Sequence, residues 1–261
     1  MFPYMGGKAF HIKHLDRIFP VLGYDRFVDV FGGAGWVSTK SNLAGRCEQV
    51  YNDANPYLAN IFRWFSQDPD AVLAYLTTWP QQDADLYRQF QQDIFGSNPE
   101  PAVTAETAAK YLYLEVQSFS GNTLGLKSSV YFDKIHTLNP LIRKLQNPRI
   151  LQRLARLTTT NLDCLEVIRQ YDSPTTFFYC DPPYFKLEHY YTHGFGRDQH
   201  QELARTLKAC SGGWAVSYYD FEELHDWFPE DQYRWHTYSV SKQSSSRNNK
   251  QRGQEVVIVN A

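Results

Sequence analysis

Apolar residues in this chain fall into two kinds of pattern. Short β-branched and aromatic runs read as buried strands: Arg26-Phe27-Val28-Asp29-Val30, Gln49-Val50-Tyr51-Asn52, Thr158 to Asp163, Thr175 to Cys180, Trp214-Ala215-Val216-Ser217 and Glu255-Val256-Val257-Ile258-Val259. Helical spacing is found from about Trp36 to Leu43, from Pro56 to Phe65 and from Arg197 to Cys210. Strand, helix, strand, helix is the opening of a doubly wound α/β sheet. That order is then interrupted. Residues 68–157 are mostly helical in pattern, apart from an irregular Ser/Gly/Asn-bearing stretch from Ser118 to Ser129, and they read as an inserted helical lobe. The expected division is therefore a sheet domain of residues 1–67 and 158–261 with an insert at 68–157. The last strand is expected to pair as a hairpin with Tyr233–Val240.

Turns carry the candidate chemistry. Asp181-Pro182-Pro183-Tyr184 follows the Thr175–Cys180 strand, at the carboxyl end where open α/β sheets place their ligand crevices. The prolines remove two amide donors and leave carbonyls free beside a carboxylate and an aromatic face. That set suits a flat base with an exocyclic amino group; the plain alternative is a turn whose Asp caps a helix. Gly32, Gly33 and Gly35 follow the first strand and permit a close backbone approach to a ligand. Ser38 stands where a dinucleotide fingerprint wants glycine or alanine, and no Gly-Lys-Ser/Thr follows, so a nucleoside without a diphosphate fits better. Asp53 ends the second strand, where an acid takes a ribose hydroxyl pair, or caps the helix at Pro56. Asp163 ends the next strand and could accept from an adenine amino group or cap a helix. Tyr4-Met5-Gly6-Gly7-Lys8 sets an aromatic face, two glycines and a cation side by side, which is either a site element or a plain turn.

Composition narrows the classes. At 261 residues and 43% hydrophobic, the chain is long enough for one large domain with an insertion, and no apolar run is long enough to span a membrane. No signal-peptide pattern opens the chain, and the four cysteines lack a Cys-x-x-Cys pair, so a reducing, cytoplasmic setting without a metal site is expected. A formal net charge of −2 excludes a globally basic nucleic-acid binder. DNA contact then needs local basic patches. Lys242, Arg247, Lys250 and Arg252 form one among serines and asparagines; Arg143, Lys144, Arg149, Arg153 and Arg156 form another. Either could equally be a solvated surface.

Together these elements resemble the Dam-type DNA adenine-N6 methyltransferases. The matching residues, in family order, are Tyr4-Met5-Gly6-Gly7-Lys8, Asp29-Val30-Phe31-Gly32-Gly33-Ala34-Gly35, Asn52-Asp53-Ala54-Asn55, Asp181-Pro182-Pro183-Tyr184 and Arg252-Gly253-Gln254-Glu255. The resemblance implies a Rossmann-like methyltransferase fold, with a mixed seven-stranded sheet and a helical target-recognition insert. It implies S-adenosylmethionine as cofactor, held by Tyr4, Lys8, Phe31, Gly33, Gly35, Asp53, Asp163 and Asp181. Catalysis falls to Asp181, Pro182 and Tyr184, by direct in-line methyl transfer to a flipped adenine in a short sequence of double-stranded DNA. Lys242, Arg247 and Lys250, with Asn122 and Lys127 of the insert, are the expected DNA contacts. The resemblance further implies a bacterial, phage or plasmid enzyme and admits a cognate restriction endonuclease as partner. Residues 124–136 lack the Arg-x-Asn…Phe-Asn pattern of GATC-reading members, which leaves the target sequence unassigned. Adenine in RNA, a protein glutamine amide and a non-catalytic DNA-binding relative are the competing readings. No covalent intermediate is needed, and Cys180 is expected to be a core residue.

Overall fold

The β-branched and aromatic runs gather into a single sheet. A computed structural model of the chain describes residues 1–4, 6–20, 23–96, 102–118, 137–185, 195–241 and 252–260. Its strands are β1 (Arg26–Asp29), β2 (Glu48–Asn52), β3 (Leu157–Thr160), β4 (Thr176–Cys180), β5 (Gly213–Tyr219), β6 (Arg234–Ser241) and β7 (Arg252–Val259). Their spatial order is β3-β2-β1-β4-β5-β7-β6. β1 to β5 are parallel, whereas β7 runs antiparallel to both its neighbours. The sheet is thus mixed and doubly wound. β1 and β4 lie at its centre, and Phe27, Val28, Phe177 and Phe178 are buried on both of its faces, as a parallel sheet covered by helices requires. The expected hairpin is present, with Arg234 opposite Val259 and Ser241 opposite Arg252.

Helices cover the sheet: α1 (Ile12–Ile18), α2 (Trp36–Lys40), α3 (Pro56–Gln67), α4 (Pro69–Thr78), α5 (Ala84–Phe95), α6 (Ala105–Gln117), α7 (Asn139–Leu145), α8 (Pro148–Leu154), α9 (Cys164–Tyr171), α10 (Arg197–Ala209) and α11 (Glu222–Trp227). Side-chain caps fix several starts. Asn55, Asp68, Asp83 and Thr104 each accept from a backbone amide in the first turn of α3, α4, α5 and α6. The helices within 68–157 do not build a core apart from the sheet. Val72, Leu76, Phe90, Leu112 and Leu141 join Met1, Phe2, Tyr51, Leu58 and Phe62 in one apolar cluster. α6 runs through its middle, buried around nearly its whole circumference.

Three local expectations need correction. The strand expected over Thr158–Asp163 stops at Thr160. Asp163, past the strand's end, takes the capping alternative as N-cap of α9, accepting from Leu165 N at 2.8 Å, while Asn161 turns its amide to the carbonyls of Asp53 and Ala54. The helix expected to reach Leu43 ends at Lys40, with Asn42 N bound by the Asp16 carboxylate at 2.6 Å. α1 and α11 were not legible as helices, because seven and six residues give too few turns for a period to register.

Candidate active site

Strand order reverses between β1 and β4, so the chain leaves their carboxyl ends toward opposite edges and opens a crevice there. The glycine turn after β1 forms one wall. Gly33 and Gly35 have φ of 48° and 62°, a region that disfavours side chains. A Cβ on Gly35 would lie 2.3 Å from the Phe62 ring, and one on Gly33 3.0 Å from Tyr4. The turn is also fastened. Tyr51 Oη donates to the Gly33 carbonyl at 2.7 Å, and Gly33 N donates to Asp53 Oδ2 at 2.8 Å. Asp53 Oδ1 accepts from Asn55 N at 2.8 Å, so this carboxylate links the glycine turn to the start of α3.

Asp181 follows β4 and forms the opposite wall with the rest of its tetrad. Lys8, in the 3-10 turn Lys8–Phe10, is 5% exposed. Its Nζ lies 2.8 Å from Asp181 Oδ1 and 2.8 Å from Glu255 Oε1, and donates to Tyr184 Oη at 2.6 Å. Tyr184 Oη donates in turn to Glu255 Oε1, whose other oxygen lies 3.1 Å from His11 Nδ1. One buried ammonium therefore sits between two carboxylates.

Those carboxylates do not share the cation equally. Burial opposes the charge of Lys8, but Asp181 and Glu255 together outweigh it and hold the lysine pKa above its ordinary value. Burial also works against ionising Glu255; Lys8 and His11 overcome it and hold Glu255 well below the usual carboxylate range. Asp181 moves the other way. Burial pushes its pKa up, Lys8 offsets only part of this, and the Glu255 charge adds to the rise. Asp181, the more exposed of the two at 15% against 2% for the Glu255 side chain, is left as the more avid proton and hydrogen-bond acceptor.

Between the two walls lies a cavity of about 240 Å³. Tyr4, Lys8, Phe31, Gly33, Asp53, Asp163, Asp181 and Tyr184 all line it; of the expected site residues described, Gly35 and Pro182 do not. Gly35 makes room for Phe62, and Pro182 is buried beside Pro183, which does face the cavity. Lys242, Arg247, Lys250, Asn122 and Lys127 lie outside the described residues.

Several lining residues carry no distinguishing mark in the sequence. Asp29, at the end of β1, accepts from Ser38 Oγ at 2.6 Å and Ser38 N at 3.2 Å. Burial pushes its pKa up to about 7; the Ser38 bonds offset part of this, and Asp181 and Asp53 add to it. Trp36, Tyr179, Phe195 and Gln199 complete the walls, with Phe31 edge-on to Phe195 at 5.7 Å. Asp29 and Glu255 both stand inside segments that resemble the Dam-type pattern, and that is the one signal the sequence offers for them.

Cys180 is fully buried at the end of β4 and burial raises its thiol well above the ordinary range, which suits a core residue. The basic cluster of α7 and α8 divides. Lys144 Nζ donates to the Met1 carbonyl at 2.6 Å and lies 4.9 Å from the Trp36 ring centroid; Arg153 donates to the Thr39 carbonyl and Arg156 to that of Gly45 at 3.2 Å. These three fasten α7 and α8 to the α2 region, while Arg143 and Arg149 are exposed.

No curated protein matches the chain. A family model does, over residues 4–245: its description is D12 class N6 adenine-specific DNA methyltransferase.

Proposed function

The chain belongs to the D12 class N6 adenine-specific DNA methyltransferase family, and from that premise we propose that the switch-point cavity holds S-adenosylmethionine beside an adenine turned out of duplex DNA. Family membership makes the chain an adenine-specific DNA methyltransferase acting on DNA, with S-adenosylmethionine the general methyl donor of such enzymes. The observation that carries the reading of the site is that Asp53 and Asp181 border one cavity from opposite walls. The donor set fits the cofactor. Among the described residues, Asp29, Asp53, Asp163 and Asp181 line the cavity against one lysine, Lys8, that is already paired. Such an acidic enclosure suits a molecule bearing a sulfonium, an ammonium and ribose hydroxyls.

In this reading Asp53 accepts from the ribose hydroxyls, Asp163 from the cofactor adenine amino group, and Tyr4 and Phe31 offer their faces to the adenosyl moiety. Gly33 lets the backbone come close. When bound, the cofactor supplies a methyl group activated by its sulfonium. The target nitrogen is a poor nucleophile because its lone pair is delocalised into the purine ring. Asp181, with a proton affinity raised by burial, accepts an amino hydrogen beside Pro183, which favours a pyramidal nitrogen with a free lone pair. Tyr184, fixed at its hydroxyl by Lys8 and Glu255, holds the base plane. Positioning of this kind is worth roughly 7–11 kcal/mol when reacting atoms are well aligned.

The base has to leave the stack to reach a cavity of this shape, at a cost of a few kcal/mol. Residues 68–157 serve in this reading as the target-recognition insert, and the basic residues around 242–252 as phosphate contacts. The short sequence read would be that of a restriction–modification pair or of an orphan enzyme. Transfer of a labelled methyl group to unmethylated DNA, RNA and protein, assayed side by side with nucleoside analysis of the product, tests the proposal. N6-methyladenine in DNA is expected; label in RNA or glutamine alone would move the enzyme to another substrate class.

A further inference from the structure

We infer that the exposed face formed by Phe10, Lys13, His14 and Arg17 is a DNA-docking surface that grips the substrate backbone beside the target base. The inference rests on the proposed role of the Asp181 site and adds to it a contact surface separate from the insert and from residues 242–251.

Helical spacing places these residues together. Lys13 and Arg17 are one turn apart on α1, His14 lies between them, and Phe10 precedes Lys13 and His14 by three and four residues. The opposite side of α1 is apolar and buried: Ile12 and Leu15 pack with Phe19 and Phe27 in the core. Of the outward residues, Phe10 is 79% exposed, and the described residues include only two other large exposed hydrophobic side chains, Tyr75 and Val103. Lys13 and Arg17 make no ion pair among the described residues; the one acid of the helix, Asp16, keeps its charge and accepts from Asn42 N. Two unpaired cations against one acid, headed by an exposed aromatic ring, leave a net positive face of the composition that meets phosphates and an opened base step.

Two connections bring this face to the active site. Phe10 belongs to the same 3-10 turn as Lys8, whose Nζ touches Asp181, so the ring lies two residues along the chain from the partner of the group that would hold the flipped base. His14 stacks on Tyr238 of β6 with ring centroids 4.7 Å apart and planes 7° apart. The neighbouring His11 reaches Tyr238 Oη and Glu255. β6 then leads the chain directly into residues 242–251. A duplex presenting its adenine to Asp181 therefore passes within reach of α1. The chain as a whole carries a formal charge of −2, so such local faces must supply the attraction.

The test is binding of a fluorescent unmethylated duplex by the full-length protein over a range of salt, with cofactor affinity measured in parallel. Lys13→Ala/Arg17→Ala should weaken binding roughly tenfold or more at physiological salt, equally for unrelated sequences, and flatten the log–log salt slope by about 0.9 for each phosphate released. Lys13→Glu/Arg17→Glu should weaken it further. Phe10→Ala should cost about fivefold or more, and Phe10→Trp should restore binding, as stacking on a base predicts. Cofactor affinity should stay at the wild-type value throughout. Unchanged duplex affinity and salt slope in both double variants would overturn the inference, as would a loss of methyl transfer with binding intact. If the wild-type protein binds duplex through this face yet transfers no methyl to it, the reading of the Asp181 site fails and the docking surface stands.

Discussion

Lys8 and Asp181 meet with Nζ 2.8 Å from Oδ1, and Glu255 takes the same ammonium at the same distance. The amino-terminal turn, the end of β4 and the last strand are thereby joined at one buried charge. Removing that charge leaves two carboxylates facing each other out of water. Lys8→Met should destabilise the protein by about 3–5 kcal/mol at neutral pH, the range for an orphaned buried ion partner. The deficit should shrink on acidification, because protonating either acid relieves the repulsion. Urea unfolding at several pH values measures this, and Glu255→Gln placed in the Lys8→Met background should recover part of the loss.

Asp29 predicts a second pH dependence of the opposite kind. Its pKa is raised from 3.8 to about 7, chiefly by burial. A carboxyl whose folded pKa lies above its unfolded value favours the fold most when protonated, so its contribution is complete below 3.8 and lost as pH rises toward about 7. Asp29→Asn preserves an acceptor for Ser38 and cannot ionise. Wild-type stability, measured relative to this variant, should therefore fall between about pH 4 and pH 7 and then level off. A difference that stays flat with pH would show that Asp29 is not held neutral.

Asp53 holds the glycine turn and borders the cavity. Asp53→Ala should weaken S-adenosylmethionine binding by about 1.5–3 kcal/mol, one charge-assisted hydrogen bond, with little change in affinity for DNA. Calorimetry that finds the cofactor bound as tightly as before would restrict Asp53 to fastening the turn.

How far these relations were visible in sequence depended on their range. β1, β4 and the two turns after them were legible because a strand buried on both faces has an unbroken apolar run and the residues after it break that run sharply. The joint presence of Asp53 and Asp181 at one site was implied by the family resemblance, while the strand order that brings them to one cavity needs the structure. The pairing of Lys8 with Glu255 was not legible, since the partners sit at opposite ends of the chain and no local pattern couples them. Asp29 was marked only by its place in the segment resembling the Dam-type pattern, because its burial with Ser38 depends on α2 folding back over β1. For Asp163 a strand end and a helix cap stayed equally open, because α9, at eight residues, gives a weak period. Lys144, Arg153 and Arg156 read as a basic face because charge is evident in a sequence and the carbonyl each one meets is not.

The carbonyl contacts of α7 and α8 separate structure from DNA binding. Arg153→Ala should lower stability by about 1–3 kcal/mol, the cost of leaving the Thr39 carbonyl without its donor. The salt slope of DNA binding should not move. A slope reduced by about 0.9 would place Arg153 on the phosphate backbone instead.

The proposed chemistry turns on Asp181 accepting from the target adenine while the cofactor lies against it. Methyl transfer to unmethylated duplex DNA by Asp181→Ala, measured beside its thermal midpoint and its S-adenosylmethionine affinity, decides the matter. Transfer should be abolished in a protein that remains folded and still takes up the cofactor. Turnover at the wild-type rate by a folded Asp181→Ala variant would contradict that role.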